Sequence, residues 1–447
     1  MNTSTWPKPT YSWFIVFILI LALTVSFIDR YILGLLIEPI KRDLQLSDTS
    51  VSLLIGLAFT IFYCLMAIPI GRMVDKFSRV KIITAGIALW SVMTALCGLS
   101  RGYWELFLAR IGVGVGEASL SPAAYSIIAD LFPPEKLGLP LGIYSIGVTT
   151  GAGLAFILGG IVLGLISEFE SVTIPIFGEI RSWQLTFFIV GLPGILLAII
   201  ISFIKEPARQ SLGNIQDDQV VPIPEVIKYV SRGWRAYTGH FVGFTFLSII
   251  YNALIAWTPA FLGRSYGIAP QDAGPILGVL ILVFGSAGML VGGWFADKMY
   301  QRGYKDGALR SGIVSGLAIF PLMILLLLSS SLKTTLILYA PIWFFGAFGF
   351  GASVAALQQI TPNRMRGVVA ASYLFVANLI AITFGPLSVA LVTDLVFQDE
   401  LLLKYSLVIV GATSALIAST ILIMTLRSFT EFAESINQPI ELINAPT

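Results

Sequence analysis

The sequence predicts an all-α membrane protein of twelve transmembrane helices in two pseudo-symmetric six-helix bundles, with both termini cytoplasmic. Three observations carry that reading. Hydrophobic residues make up 56% of the 447-residue chain and charged residues only 12%, against about 25% charged in soluble domains. Twelve apolar stretches follow one another, each near the roughly 20 residues a bilayer core requires. The second six stretches repeat features of the first.

The stretches run at about 12–40, 50–71, 82–100, 104–130, 139–166, 184–204, 236–262, 275–296, 311–331, 334–359, 368–393 and 405–426. Helices are expected, because a lone strand leaves its backbone unsatisfied in lipid and the alternation of a barrel is missing. The first stretch is too long for a signal sequence and lacks a small-residue cleavage site. Lys and Arg set the orientation. One side carries Arg72, Lys76, Arg79, Lys81, Lys136, Lys298, Arg302, Arg364 and Arg366, among others. The other holds only Lys41, Arg42, Arg101, Arg181, Arg264, Lys333 and Lys404. The polar stretch 205–235 is the longest interruption, and residues 222–230 within it suit a short interfacial helix. The expected division is therefore a bundle at 1–204, a cytoplasmic linker at 205–235, a bundle at 236–426 and a cytoplasmic tail at 427–447.

At an ungapped offset of 222 residues, Ser26, Ile28, Gly56, Phe62, Gly71, Asp75 and Lys76 meet Ser248, Ile250, Gly278, Phe284, Gly293, Asp297 and Lys298. The run at 71–76 thus recurs at 293–298, in both cases at the cytoplasmic end of the second helix of its half. A shared topological position sets these matches apart from chance identities.

Four ionisable residues, Asp29, Arg30, Arg110 and Glu117, fall inside membrane-spanning stretches. A charge at that depth costs several kcal/mol, roughly 2.5–3.5 on insertion scales. Such residues persist when they pair, line a cavity or carry ions and substrate. Four of them, with both signs present, favour a polar transport site over a purely structural ion pair. Arg110, Gly114 and Glu117 share one helix face, with Arg110 and Glu117 about 10 Å apart along the axis. Asp29 and Arg30 differ by about 100° around their helix, so one faces the centre and the other a neighbour. Arg30 is expected to meet an anionic headgroup, Asp29 to lie near Arg110, and Glu117 to bind a proton. The alternative is that Asp29 carries the proton and Glu117 only neutralises Arg110.

The second half lacks such charges. Asp29 and Arg30 align with Tyr251 and Asn252, and His240 reads as an interfacial histidine. Tyr251, Asn252, Trp257, Tyr373 and Asn378 are the candidates for an aromatic and amide cavity wall, although each equally suits packing. A cavity charged on one side and apolar on the other fits an amphiphile with an ionic head. The two cysteines, Cys64 and Cys97, lie in apolar segments and suggest neither a disulfide nor a metal site. No cofactor is expected. Walker, metal-ligand and Ser/His patterns are missing, which argues against a pump or a membrane enzyme. The small net charge of +2, spread over short loops, gives no reason to expect nucleic-acid binding.

Gly71-Arg-Met-Val-Asp75-Lys-Phe-Ser-Arg79-Val-Lys81 resembles the loop 2–3 signature of the major facilitator superfamily, with Ser78 in place of the usual second glycine. Arg110-x-x-x-Gly114-x-Gly116 resembles its fourth-helix signature. The run Gly112-Val-Gly-Val-Gly-Glu117-Ala-Ser-Leu-Ser-Pro122, then Ile128-Ala-Asp130-Leu-Phe, together with Asp29-Arg30, resembles the spinster family of lipid transporters in a bacterial form. Gly147-Val-Thr-Thr-Gly151 lacks the proline of the usual antiporter signature. The resemblance implies parallel six-helix repeats with a site near the midplane and location in the bacterial inner membrane. It also implies a conformational latch at Gly71, Asp75, Arg79 and Asp130, echoed at Gly293 and Asp297.

The expected function is secondary active transport of a lysolipid-like or other amphipathic anion by alternating access, coupled to protons. The expected partners are the substrate, protons and membrane lipids, and the expected state is a monomer. A proton-linked exporter of small organic anions or drugs is the second reading. A non-transporting sensor or a passive lipid scramblase is the alternative of another class.

Overall fold

A computed structural model describes residues 6–133, 136–166, 171–175, 178–209, 221–362 and 364–435. Helix α1 (Pro9–Leu35) opens with proline in its first turn, where the missing N–H costs nothing. It stops at Leu36, and a short amphipathic helix, α2 (Ile37–Leu44), follows. The first crossing is therefore shorter than the apolar run to about 40. Glu38 in the first turn of α2 and Lys41 and Arg42 in its last suit the helix dipole, and Gln45 closes it in the left-handed conformation.

Ser47 caps α3 (Asp48–Ile55), its hydroxyl accepting from the Ser50 N–H at 3.1 Å. Gly56 separates α3 from α4 (Leu57–Lys76). A Cβ at Gly56 would lie 2.6 Å from the Ile382 carbonyl oxygen, so only glycine admits that backbone. Helix α5 (Arg79–Cys97) starts at the Ser78 cap. The fourth crossing divides into α6 (Tyr103–Glu117) and α7 (Leu120–Leu131). Two causes are local: the glycine run ending at Gly116 weakens the helix, and Pro122 offers no N–H to the carbonyl at 118.

Helix α8 (Gly138–Ile166) is followed by a hairpin that the hydropathy pattern does not reveal, β1 (Ser171–Ile174) antiparallel to β2 (Gly178–Arg181), pairing Ser171 with Arg181. Helix α9 (Ser182–Ser202) completes the first half. The short helix expected within the linker is present as α10 (Ile223–Arg232), with Ile223 and Ile227 exposed.

The second half contains α11 (Trp234–Tyr266), α12 (Pro270–Leu280), α13 (Ser286–Gln301), α14 (Gly307–Leu328), α15 (Leu332–Phe348), α16 (Phe350–Gln359), α17 (Arg366–Leu391) and α18 (Leu403–Ser435). Helix α18 runs beyond 426, into the region read as a tail. Among the described residues eleven spans are long and apolar enough to cross a membrane, and the divided α6–α7 pair corresponds to the remaining stretch. The repeat is visible in the breaks. The second crossing of each half is interrupted, at Gly56 and at the π turn Ile281–Gly285. The fourth is interrupted at 118–119 and at Gly349.

Contacts group the chain into two compact units. One contains Met1–Asn214 with Ala253–Val283 and Ile382–Ser406. In it α1 packs on α8, α5 on α9, α6 on α4 and α5, and α12 on α8. The other contains Ile215–Asn252, Phe284–Ala381 and Leu407–Thr447, where α13, α14, α15 and α16 pack together. The units do not follow the linear halves: two segments of the second half join the first.

Candidate substrate and proton site

The four charges that the sequence places inside membrane stretches are in the first unit, and all are buried: Asp29 and Arg110 at 0% and 1% exposure, Glu117 at 2%, Arg30 at 8%. Helix α1 supplies Asp29 and Arg30, and α6 supplies Arg110 and Glu117. The α6 glycines bring the neighbours close. A Cβ at Gly114 would lie 2.3 Å from the Phe59 carbonyl of α4, and one at Gly116 would lie 2.7 Å from the Gly86 carbonyl of α5. Gly114 is thus a packing glycine.

Arg30 donates from Nη2 to Glu117 Oε2 at 2.6 Å, and the Ser26 hydroxyl donates to the same oxygen at 2.7 Å. The guanidinium also lies over the rings of Phe27, Phe59 and Tyr63, with centroids at 4.6, 4.5 and 5.0 Å. Aromatic faces stabilise a desolvated cation by about 2 kcal/mol or more. Glu117 Oε1 and Arg30 Nε have no protein partner. The pair therefore keeps one free acceptor and one free donor in an apolar setting.

Asp29 points elsewhere, as the 100° step requires. Its carboxylate sits beside Trp90 and Thr94 of α5, with neither in hydrogen-bonding geometry. The expected approach of Arg110 is different in kind: Arg110 Nη1 donates to the Asp29 backbone carbonyl at 3.4 Å, not to its carboxylate. Arg110 also stacks on Phe59 at 5.4 Å. Glu117 pairs with Arg30, for which an anionic headgroup is the expected partner, and not with Arg110 as the alternative reading has it, because those two side chains of α1 and α6 face each other.

The latch residues separate. Arg79 is fully buried and bonded to Asp130, to the Ser126 hydroxyl at 3.0 Å, to Glu206 at 2.8 Å and to the Pro207 carbonyl at 2.8 Å. Burial alone would raise the Glu206 carboxyl, but bonds from Ser78, Arg79 and the backbone of Val80 and Arg79 hold it below its ordinary value. Asp75 is exposed, and its backbone carbonyl, with those of Val74 and Phe77, accepts from Arg209. Gly71 and Gly293 have open space where a Cβ would stand, and Asp297 is exposed.

In the second unit His240 is fully buried rather than interfacial. Its Nε2 bonds the Ser353 carbonyl at 2.7 Å, and its ring meets those of Phe244 and Tyr373 at 4.7 and 4.9 Å. Tyr373 is buried in that cluster, and Tyr251 packs edge-on against Trp343 and Phe350. Asn252 turns back to the Ser248 carbonyl at 2.9 Å, and Asn378 is half-buried. Trp257, in the first unit, is fully buried and donates to the Pro386 carbonyl at 2.9 Å.

Sequence reasoning missed Ser26, Phe59, Tyr63 and Glu206. Ser26 was within reach, since it precedes Arg30 by four residues and shares its helix face. Glu206 directly follows the sixth span, beside Pro207.

Residues 19–386 match the Major Facilitator Superfamily. The chain belongs to that family. It is 28% identical over 397 residues to an MFS-type efflux pump of Mycolicibacterium smegmatis, covering 88% of this chain and 86% of that one. It is 30% identical over 297 residues to protein spinster homolog 1 of Xenopus tropicalis, covering 62% and 53%. Among solved structures it is similar to a bacterial homolog of the human lysosomal transporter spinster in an inward-facing, unoccupied conformation. The TM-score is 0.79 at 26% identity, covering 96% of this chain and 98% of that one. The protein is therefore a spinster-like transporter of the superfamily, not an enzyme, and an integral multi-pass protein of the bacterial inner membrane.

Proposed function

We propose that this transporter moves a lysolipid-like or other amphipathic anion by alternating access and couples that movement to protons. The single observation that carries the reading is the Arg30–Glu117 pair, a buried guanidinium held by one carboxylate oxygen and stacked on three aromatic rings. With all four groups ionised, Asp29, Arg30, Arg110 and Glu117 sum to zero. An incoming anion adds a negative charge in a low-dielectric site, which costs several kcal/mol unless it is compensated. A proton on Glu117 compensates it and releases Arg30 to hold the anion through charge-assisted bonds. Proton and anion then bind together, so they travel in the same direction.

The ring faces around Arg30 supply an apolar margin for a hydrocarbon tail. The relationship to a mycobacterial efflux pump supports the second reading, in which the anion is a small organic ion or drug. Reconstitution in liposomes separates the two. Uptake of lysolipids, sphingoid phosphates and organic anions is measured with and without an imposed pH gradient. Gradient-stimulated uptake of the lipid anions alone supports the first reading, uptake of the organic anions alone the second. Uptake indifferent to pH removes the proton coupling.

A further inference from the structure

A second buried charge cluster stands apart from the site above. Arg264, near the C-terminal end of α11, donates to Asp48 through both terminal nitrogens at 2.7 Å and to Glu38 through Nε at 2.8 Å. Lys41 bonds Asp48 and reaches Glu400 at 2.7 Å, while Arg264 lies 3.7 Å from Glu400. The Arg264, Lys41 and Asp48 side chains are at most 6% exposed. All five residues belong to the first compact unit. Yet Glu38, Lys41 and Asp48 come from the first sequence half, and Arg264 and Glu400 from the second. All lie on the side expected to face away from the cytoplasm.

The surroundings repeat the pattern. Thr49 donates through its N–H and hydroxyl to Asp394 at 2.8 and 2.7 Å, and Ser52 donates to the Pro386 carbonyl at 3.2 Å. Each of these bonds joins the first half to a segment of the second. The Arg181–Asp43 pair on the same side is different, since both residues belong to the first half.

We propose that Arg264 is the closing residue of the outer gate, its guanidinium clamping Glu38 and Asp48 of the first half to α11. Within this cluster Arg264 alone holds two carboxylates of the opposite half, and Lys41 bonds the same Asp48 carboxylate from the side of the first half. Removing one partner of a buried pair is costly because the other charge stays desolvated. Closure therefore depends on the full set. When the halves part, Asp48 keeps Lys41 and Arg264 keeps Glu400, so each segment leaves with an opposite charge beside it. The inference rests on alternating access alone and needs neither the lipid substrate nor the proton.

The test is a distance measurement by electron paramagnetic resonance on the full-length protein in liposomes. Spin labels are placed at Arg42 and Leu401, both exposed on the outer side. Arg264→Met should raise the long-distance population at least threefold. Arg264→Lys should give an intermediate rise, since an ammonium keeps the charge but cannot fork between two carboxylates. Glu38→Gln, a milder change at a half-exposed residue, should shift it in the same direction and covers the case in which Arg264→Met fails to fold. Asp43→Asn should leave the distribution unchanged. An unaltered distribution in Arg264→Met, or in Glu38→Gln should the first not fold, overturns the proposal. So does an equal shift in Asp43→Asn. Transport is not read, so this result stands apart from the substrate reading.

Discussion

Arg30 and Glu117, 87 positions apart in sequence, meet at 2.6 Å through a single carboxylate oxygen that also accepts from Ser26. The other oxygen of Glu117 has no protein partner. One oxygen therefore holds the arginine, and the proposed coupling assigns the proton to the other.

Arg30→Ala should leave the protein inserted and monodisperse but without transport. The charge-assisted bond that an anion makes to the guanidinium is worth about 1.5–3 kcal/mol, on the order of 10–100-fold in affinity. Binding of the transported anion to the purified variant checks this, with normal transport by a well-expressed Arg30→Ala protein as the contrary result.

Asp29 and Glu117 are separable by mutation. If Asp29 carried the proton, Asp29→Asn would abolish pH-driven accumulation while retaining exchange. The Arg30–Glu117 geometry predicts the reverse: Asp29→Asn keeps some pH dependence, because its carboxylate faces α5 and not the arginine. Uptake measured across a series of imposed pH gradients checks this.

The positions of these groups were legible in unequal measure. Asp29, Arg30, Arg110 and Glu117 stood out because charge in apolar sequence is conspicuous, and the 100° step foretold that Asp29 and Arg30 diverge. Which carboxylate meets which arginine was not legible, because it depends on how α1 crosses α6 and on the Gly114 contact with α4. The twelve stretches were legible from hydropathy. The divided fourth crossing and the β hairpin were not, since hydropathy averages over a local break and gives short polar strands no signal. His240 was misjudged because its burial comes from Phe244, Ser353 and Tyr373, which are remote in sequence.

The Arg79 cluster predicts a pH-dependent contribution to stability. The Glu206 carboxyl is held below its ordinary value of 4.5. Its contribution is therefore complete above 4.5 and is lost as pH falls through the lower folded value. Glu206→Gln should lower the Tm at pH 7, and the gap to the parent protein should narrow only below pH 4.5. A gap that is constant down to strong acid would contradict this assignment.

Gly114→Ala should destabilise the first unit, since a methyl 2.3 Å from the Phe59 carbonyl oxygen must force α4 and α6 apart. Overpacking of this kind costs about 1–3 kcal/mol. The same change at Gly71, where the space is open and alanine favours the helix, should leave the Tm unaltered or slightly raised, and thermal unfolding of both variants in one detergent makes the comparison.

The most direct test of the proposed proton coupling at Arg30 and Glu117 is pH-gradient-driven accumulation by Glu117→Gln in liposomes. The substrate is whichever anion the parent protein takes up. Glutamine mimics the protonated carboxyl permanently, so the variant should still exchange that anion across the membrane. It should fail to concentrate it when a pH gradient is imposed. Accumulation at the parent level by Glu117→Gln would contradict the account.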